Sequence, residues 1–103
     1  MTTSDLKLLS VEEISNNLAK LSDWNLEDSG KSIDRNFKFE NFKQVIEFVN
    51  RVADLAEQEG HHPNMRIYGY NNLEIKLTTH TVGGLTEKDF KVAEEIDLLN
   101  SND

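Results

Sequence analysis

The residues best suited to chemistry are the three histidines, which lie at positions 61, 62 and 80. His61 and His62 follow a predicted helix and His80 follows a predicted strand. The ends of such elements are where binding and catalytic groups are most often placed. Because an imidazole exchanges protons readily near neutral pH, these residues are candidates for acid–base catalysis.

Glu57 stands four residues before His61, a spacing that brings two side chains together on a helix. Its carboxylate could therefore contact the His61 imidazole and favour the charged, proton-donating form. Paired histidines also occur as surface or packing residues, and this pattern alone does not decide between the two interpretations.

A zinc site is the competing chemical interpretation, since three imidazoles and a water molecule can hold a catalytic metal. Adjacent side chains such as His61 and His62 tend to point in different directions, and no additional ligand stands at a familiar metal spacing. We therefore predict no metal.

Capping signals define the first two helices that position these groups. Ser10 and Glu13 form a capping box with Leu9 and Ile14 at staple positions, and Asn41 with Gln44 begins a long second helix. Gly60 suits the left-handed end of that helix, and Pro63 prevents it from restarting.

Apolar residues cover a wide arc of the second helix. One set is predicted to face the core: Phe42, Val45, Ile46, Val49, Ala53 and Ala56. A second set beside it exceeds what a helix on one sheet needs to bury, and is predicted to form an oligomer contact: Phe48, Val52 and Leu55.

Alternating patterns predict two β-hairpins. The first runs from Trp24 through a turn at Gly30 to a strand face that comprises Ile33, Arg35, Phe37 and Phe39. Arg35 is either a side chain at a sheet edge that extends to solvent or a functional group. The second hairpin pairs residues 64–70 with 73–79 through a turn at Asn71 and Asn72. Its buried face is predicted to comprise Leu73, Ile75 and Leu77.

Thr86 and Asp89 predict the start of a last helix that ends near Leu99. Asp89 thus has a sufficient role as a helix cap, and Trp24 and Tyr70 are by default core or sheet aromatics. The order α-β-β-α-β-β-α predicts an α+β fold, with a four-stranded antiparallel sheet covered by helices on one face. We expect one domain over residues 1–103, with frayed termini at 1–5 and 100–103.

Composition limits the partners. Nineteen acidic and eleven basic residues give a formal charge of −8, which disfavours direct binding to nucleic acid or anionic membranes. Cysteine is absent, so disulfides, thiolate nucleophiles and sulfur-ligated zinc are excluded. Neither a signal peptide nor a long apolar run is apparent, which predicts a cytoplasmic protein.

The combined pattern resembles the pterin-4a-carbinolamine dehydratase family. The resemblance rests on Glu57, His61-His62-Pro63, Tyr70, His80 and Asp89 in order and spacing. Further blocks are similar: Thr78-Thr79-His80 with Gly83-Gly84-Leu85-Thr86, and the middle region with Arg35, Phe37, Phe39, Phe42 and Phe48. One departure is Met65, where the family commonly has an aromatic residue. A second is the segment from Pro63 to Tyr70, which is at the longer of the family's usual spacings.

The resemblance implies a lyase that dehydrates a 4a-hydroxytetrahydropterin to a quinonoid dihydropterin without a cofactor, in tetrahydrobiopterin recycling. It implies proton transfer by His61 and His80, with Glu57 tuning His61, and a role for His62 in pterin binding. Pro63, Asp89 and Trp24 are implied to support or line the substrate site. A homodimer or homotetramer is implied, and the alternative function is a dimerisation cofactor or transcriptional coactivator that binds protein through the second helix.

Overall fold

The computed structural model describes residues 6–101, and within them the elements follow the predicted order. Their bounds are α1 Val11–Leu18, β1 Asn25–Leu26, β2 Ile33–Lys38, α2 Phe42–Glu59, β3 Asn64–Tyr68, β4 Asn72–Leu77 and α3 Glu87–Ser101. A short 3-10 helix, His80–Val82, lies between β4 and α3. The predicted fraying of residues 1–5 and 102–103 lies outside the described residues. Helix α3 includes Asn100 and Ser101, so it ends two residues beyond its predicted end near Leu99.

The four strands form one antiparallel sheet in the order β1-β2-β4-β3, which confirms the predicted α+β class. Strand β4 is interior, with Leu73 opposite Phe37 of β2 and Ile75 opposite Met65 of β3. Its inward side chains Leu73, Ile75 and Leu77 are fully buried, as the alternation predicted. The helices cover this inner face.

Local capping accounts for the helix boundaries. In α1 the Glu13 backbone N–H donates to Ser10 Oγ, and Glu13 Oε1 accepts from the Ser10 backbone N–H, which confirms the capping box. The Gln44 backbone N–H donates to Asn41 Oδ1 at the start of α2. Gly60 ends α2 with φ of 65°, a conformation that favours glycine.

The two apolar sets of α2 are oriented only partly as predicted, since Val45 and Ala56 are buried as expected but other members exchange sides. Val45, Phe48, Val52 and Ala56 are the buried residues of this helix, whereas Phe42 is 51% exposed and Ile46 is 36% exposed. The stripe that faces solvent therefore runs through Phe42, Ile46 and Ala53, with Val49 half-buried beside it. The assignment of Phe48, Val52 and Leu55 to an oligomer contact is wrong. The two sets overlap on the helical wheel, and only packing against the sheet decides which one is covered.

The turn of the second hairpin is shifted from its predicted position. Gly69 and Tyr70 adopt positive φ angles of 56° each, and Tyr68 pairs with Asn72 across the turn. The turn therefore comprises Gly69, Tyr70 and Asn71, so the prediction is confirmed for Asn71 and wrong for Asn72, which begins β4. Glycine accepts positive φ without steric cost, which favours this position. Tyr70 is consequently exposed at the loop tip rather than in the core or sheet.

Arg35 lies on an interior strand, so its predicted position at a sheet edge is wrong. Its Nη1 donates to Asp97 Oδ1 of α3 at 2.7 Å, and the guanidinium lies 4.4 Å from the centroid of the Phe37 ring. Asp97 also accepts from Trp24 Nε1 at 2.8 Å. These contacts fix α3 against the sheet. No helix within residues 6–101 has the length and apolar character needed to cross a membrane.

Candidate active site

All three histidines line one cleft of about 580 Å³. His61 and His62 reach it from the end of α2, and His80 reaches it from the 3-10 helix after β4. Lys88, in the first turn of α3, lines the same cleft. The fold thus brings together residues that are about twenty positions apart in the chain, as a shared proton-transfer site requires.

His61 is held by a buried carboxylate. Its Nε2 lies 2.6 Å from Asp89 Oδ1, and the two side chains are 10% and 0% exposed respectively. The distance is that of a hydrogen bond to a charged group, in which the imidazole N–H donates and the carboxylate accepts. When Nε2 carries this proton, Nδ1 is the ring nitrogen left to exchange a proton with a ligand.

Asp89 is also the predicted cap of α3. Its Oδ2 accepts from the Thr86 backbone N–H at 2.9 Å and from the Thr79 hydroxyl at 2.7 Å. Both carboxylate oxygens therefore have donors, which is how a fully buried anion is retained. The capping role and the contact with His61 are compatible because they use different oxygens.

Glu57 pairs with His62 rather than His61. Its Oε2 accepts from His62 Nε2 at 2.5 Å, and both side chains are largely exposed. The predicted contact between Glu57 and His61 is wrong because helical spacing ends at Gly60, whose left-handed conformation turns His61 towards α3. In water an ion pair of this kind contributes little to stability.

The remaining predicted site residues are distributed unevenly. His80 is exposed at the cleft, whereas Pro63 is half-buried in the connection between α2 and β3, outside the cleft lining. Trp24 is 5% exposed and lies in the core, where its ring packs edge-on against Phe37 at 6.5 Å between centroids. The structure does not bring Trp24 to the histidines.

Charged groups beside the cleft join α2 to α3. Lys88 Nζ donates to the Glu59 backbone carbonyl at 3.2 Å, and Lys91 Nζ lies 3.2 Å from Glu59 Oε1. The Lys91 ammonium is the main cause of the lowered pKa of Glu59, whereas burial and then the neighbouring Glu59 raise the pKa of Glu95. The cations therefore hold the end of α2, and with it His61, against α3.

Sequence reasoning gave no individual role to Thr79, although its hydroxyl contacts Asp89. A signal was present: Thr79 continues the alternation of Leu73, Ile75 and Leu77, which places a polar side chain on the buried face. Buried polar groups are almost always hydrogen-bonded. A partner for Thr79 was therefore to be expected.

Possible metal ligands do not come together within the described residues. Among residues 6–101, no three histidine, aspartate or glutamate side chains are arranged so that they could hold a metal ion. The contacts of His61 and His62 instead run to two different carboxylates.

The chain is similar to known proteins over most of its length. A family profile described as pterin 4 alpha carbinolamine dehydratase matches residues 7–99. A relative from Chloroflexus aggregans, which carries the name pterin-4-alpha-carbinolamine dehydratase provisionally, is 51% identical over 88% of this chain and 95% of its own. Pterin-4-alpha-carbinolamine dehydratase 2, mitochondrial, of Arabidopsis thaliana is 37% identical over 96% of this chain, which spans 54% of that longer protein.

Solved structures share the fold. The crystal structure of a transcriptional coactivator/pterin dehydratase from Brucella melitensis superposes with a TM-score of 0.83 and 33% identity, over 89% of this chain and 97% of that one. A pterin dehydratase-like protein, described as a RuBisCO assembly factor in the alpha-carboxysome, has a TM-score of 0.63 and 26% identity. That match covers 76% of this chain and 89% of the other.

Proposed function

This chain belongs to the pterin-4a-carbinolamine dehydratase family, and on that premise we propose that it dehydrates 4a-hydroxytetrahydropterins to quinonoid dihydropterins by histidine acid–base catalysis. The observation that carries the proposal is that His61, His62 and His80 line one cleft while Asp89 holds His61. The physiological setting that we propose is tetrahydrobiopterin recycling in the cytoplasm.

The reaction needs an acid and a base. The bond between C4a and the hydroxyl oxygen breaks, and the oxygen takes a proton and leaves as water. The adjacent ring nitrogen loses its proton, and its electron pair forms the new C=N bond. Hydroxide is a poor leaving group, so proton donation to the oxygen lowers the barrier. Both steps are within the capacity of imidazoles, and the proposal requires no cofactor or metal.

We assign proton transfer to His61 and His80, which lie on different elements at the cleft. Asp89 Oδ1 bonds His61 Nε2, which orients the ring and leaves Nδ1 to exchange a proton with the substrate. His62 is assigned to pterin binding, and Pro63, which lies outside the cleft lining, is assigned to support of the segment that carries His61 and His62. Glu57 supports His62, to which it is bonded, and so contributes to binding rather than to the acidity of His61. The pterin-wall role assigned to Trp24 has no support from its position in the core.

A stopped-flow assay on a synthetic 4a-hydroxytetrahydropterin tests the proposal. The chain should accelerate dehydration over the spontaneous rate, and His61→Ala and His80→Ala should each slow it by about 10²–10⁴-fold. The double variant should be slower than either. A wild-type chain that does not accelerate the reaction, or a fully active double variant, would refute it.

We further propose that the chain self-associates through the exposed stripe of α2, defined by Phe42, Ile46 and Ala53. These side chains are apolar and exposed along one side of the helix. An apolar stripe of this kind on a soluble chain favours association with another surface. A homodimer or homotetramer uses that surface without a further partner.

A binding function is the second candidate, and the same stripe favours it. The Brucella melitensis protein is described as a coactivator as well as a dehydratase, and the alpha-carboxysome protein as an assembly factor. We propose a protein-binding dimerisation cofactor or coactivator as the alternative function. Recovery of a stoichiometric foreign protein in a pull-down, together with absence of dehydratase activity, would reverse the order of the two proposals.

A further inference from the structure

We propose that Thr79 is a positioning residue for the dehydration, which acts on His61 through Asp89. This inference rests on the proposed function and adds a residue to its site. Thr79 is 4% exposed and lies directly before His80, two residues after the end of β4. Thr79 is thus adjacent in the chain to His80 and is linked through Asp89 to His61, and these are the two histidines assigned to proton transfer.

The direction of the hydrogen bonds follows from the supply of protons. The Thr79 hydroxyl has one proton, which it donates to Asp89 Oδ2 at 2.7 Å. The Thr86 hydroxyl lies 2.9 Å from Thr79 Oγ1 and must be the donor in that contact. The Thr86 oxygen in turn accepts from the Lys88 backbone N–H at 3.3 Å. A directed chain of hydrogen bonds thus ends on the carboxylate that holds His61.

Asp89 needs the Thr79 hydroxyl because its carboxylate is fully buried. Its donors are the Thr79 hydroxyl, the Thr86 backbone N–H and His61 Nε2. Loss of the hydroxyl leaves the Thr86 backbone N–H as the one donor to Oδ2 among these. A buried carboxylate that loses one of its donors is held less firmly, and the orientation of His61, which is bonded to its other oxygen, is then less fixed.

The backbone of Thr79 also anchors the segment that carries His80. Its N–H donates to the Gly84 carbonyl at 2.9 Å, and its carbonyl accepts from the N–H groups of Val82 at 3.2 Å and Gly83 at 3.0 Å. These contacts remain when only the side chain is changed. A side-chain substitution at Thr79 therefore isolates the connection through Asp89 to His61.

The test compares Thr79→Ser with Thr79→Ala, because both lack the methyl group and they differ in the hydroxyl. Thr79→Val serves as a third variant that keeps the shape. We expect Thr79→Ala and Thr79→Val to lower kcat by about 10-fold to 100-fold, the range typical for groups that orient a site residue, with a smaller change in KM. The pH–rate profile should also change, because the orientation of the His61 ring is no longer fixed. Thr79→Ser should retain most of the wild-type behaviour.

A readout independent of activity is the ¹⁵N NMR spectrum of the His61 ring. The two ring nitrogens should give the pattern of a fixed tautomer in the wild type and in Thr79→Ser, and an averaged pattern in Thr79→Ala. Ser32→Ala is the matched control, because it removes another buried hydroxyl that donates to a carboxylate, that of Glu27, outside the cleft. It should reduce stability without changing the His61 spectrum.

Unchanged His61 resonances and an unchanged pH–rate profile in folded Thr79→Ala would overturn the inference, even if kcat fell. A wild-type chain without dehydratase activity would refute the proposed function instead, and the NMR comparison would still decide whether Thr79 orients His61. If Thr79→Ala and Thr79→Val did not fold, Thr79→Cys would replace them, because a thiol is only a weak donor to Asp89. His61 resonances and a pH–rate profile identical to those of the wild type in folded Thr79→Cys would overturn the inference as well.

Discussion

His61 Nε2 lies 2.6 Å from Asp89 Oδ1 although the residues are 28 positions apart, and this contact joins the end of α2 to the first turn of α3. It places an imidazole at the C-terminus of one helix, where positive charge is favoured, against a carboxylate at the N-terminus of another, where negative charge is favoured. The proton-transfer group is therefore oriented by elements of the fold that also carry the core.

The first prediction concerns Asp89→Asn. An amide offers one acceptor atom where the carboxylate offers two, so either His61 or the two donors at Oδ2 lose their acceptor, and turnover should fall by about 10²-fold or more. Stopped-flow rates across the pH range measure the change. Asp97→Asn is the control, since it removes a carboxylate of the same helix that contacts Arg35 and Trp24 outside the cleft. Wild-type turnover in Asp89→Asn would contradict the role given to this residue.

The second prediction distinguishes a role of Glu57 in pterin binding from an effect on the acidity of His61. Because Glu57 is bonded to His62 and not to His61, Glu57→Gln should raise KM by a few-fold and leave the alkaline limb of the pH–rate profile in place. Steady-state kinetics at several pH values distinguish the two effects. If the alkaline limb of the pH–rate profile moved while KM stayed unchanged, Glu57 would act on the acidity of His61 instead.

The third prediction addresses zinc. If the histidines act as acid and base, exhaustive dialysis against a chelator should leave dehydratase activity unchanged, and added zinc should not increase it. The assay is run on the same preparation before dialysis, after dialysis and after zinc addition. Activity that is lost with the chelator and restored by the metal would defeat the acid–base assignment, even if the histidine variants were inactive.

The fourth prediction distinguishes the two sides of α2. Ile46→Glu should dissociate the oligomer into folded subunits, because Ile46 lies on the exposed stripe of α2. Val52→Glu should unfold the subunit, because Val52 is 0% exposed and a buried unpaired charge is very costly. Light scattering and circular dichroism measure the two outcomes. Gln58→Glu adds the same charge to an exposed position off the stripe and should change neither. A monomeric wild type would remove the basis for the proposed oligomer.

The fifth prediction concerns the carboxyl groups of Glu59 and Glu95, which lie together where α2 contacts α3. Burial and the neighbouring Glu59 raise the pKa of Glu95, so the folded state binds this proton more tightly than the unfolded state. Stability is therefore lost as pH rises through the folded pKa. Glu95→Gln should raise the melting temperature near neutral pH, and the gain should shrink as pH falls. Asp54→Asn, which removes an exposed carboxylate, is the control. A gain that persists at acid pH would contradict this account.

Local sequence signals were sufficient to predict most helices and strands and the family. Capping pairs such as Ser10 with Glu13 and Asn41 with Gln44, together with Gly60, located the helices because they act between residues a few positions apart. The alternation of Leu73, Ile75 and Leu77 identified the buried face of β4 for the same reason. The family followed from several motifs at fixed separations, and the profile match over residues 7–99 confirms it.

Tertiary structure decided which partner each group contacts. Helical spacing indicated Glu57 for His61, but the left-handed Gly60 turns His61 to Asp89, and Glu57 contacts His62. Local periodicity likewise could not choose between the stripes of Phe48 and Ile46, because both fit a helix and only the sheet decides which is covered. Contacts between elements distant in the chain depend on how those elements pack, and no local pattern contains that information.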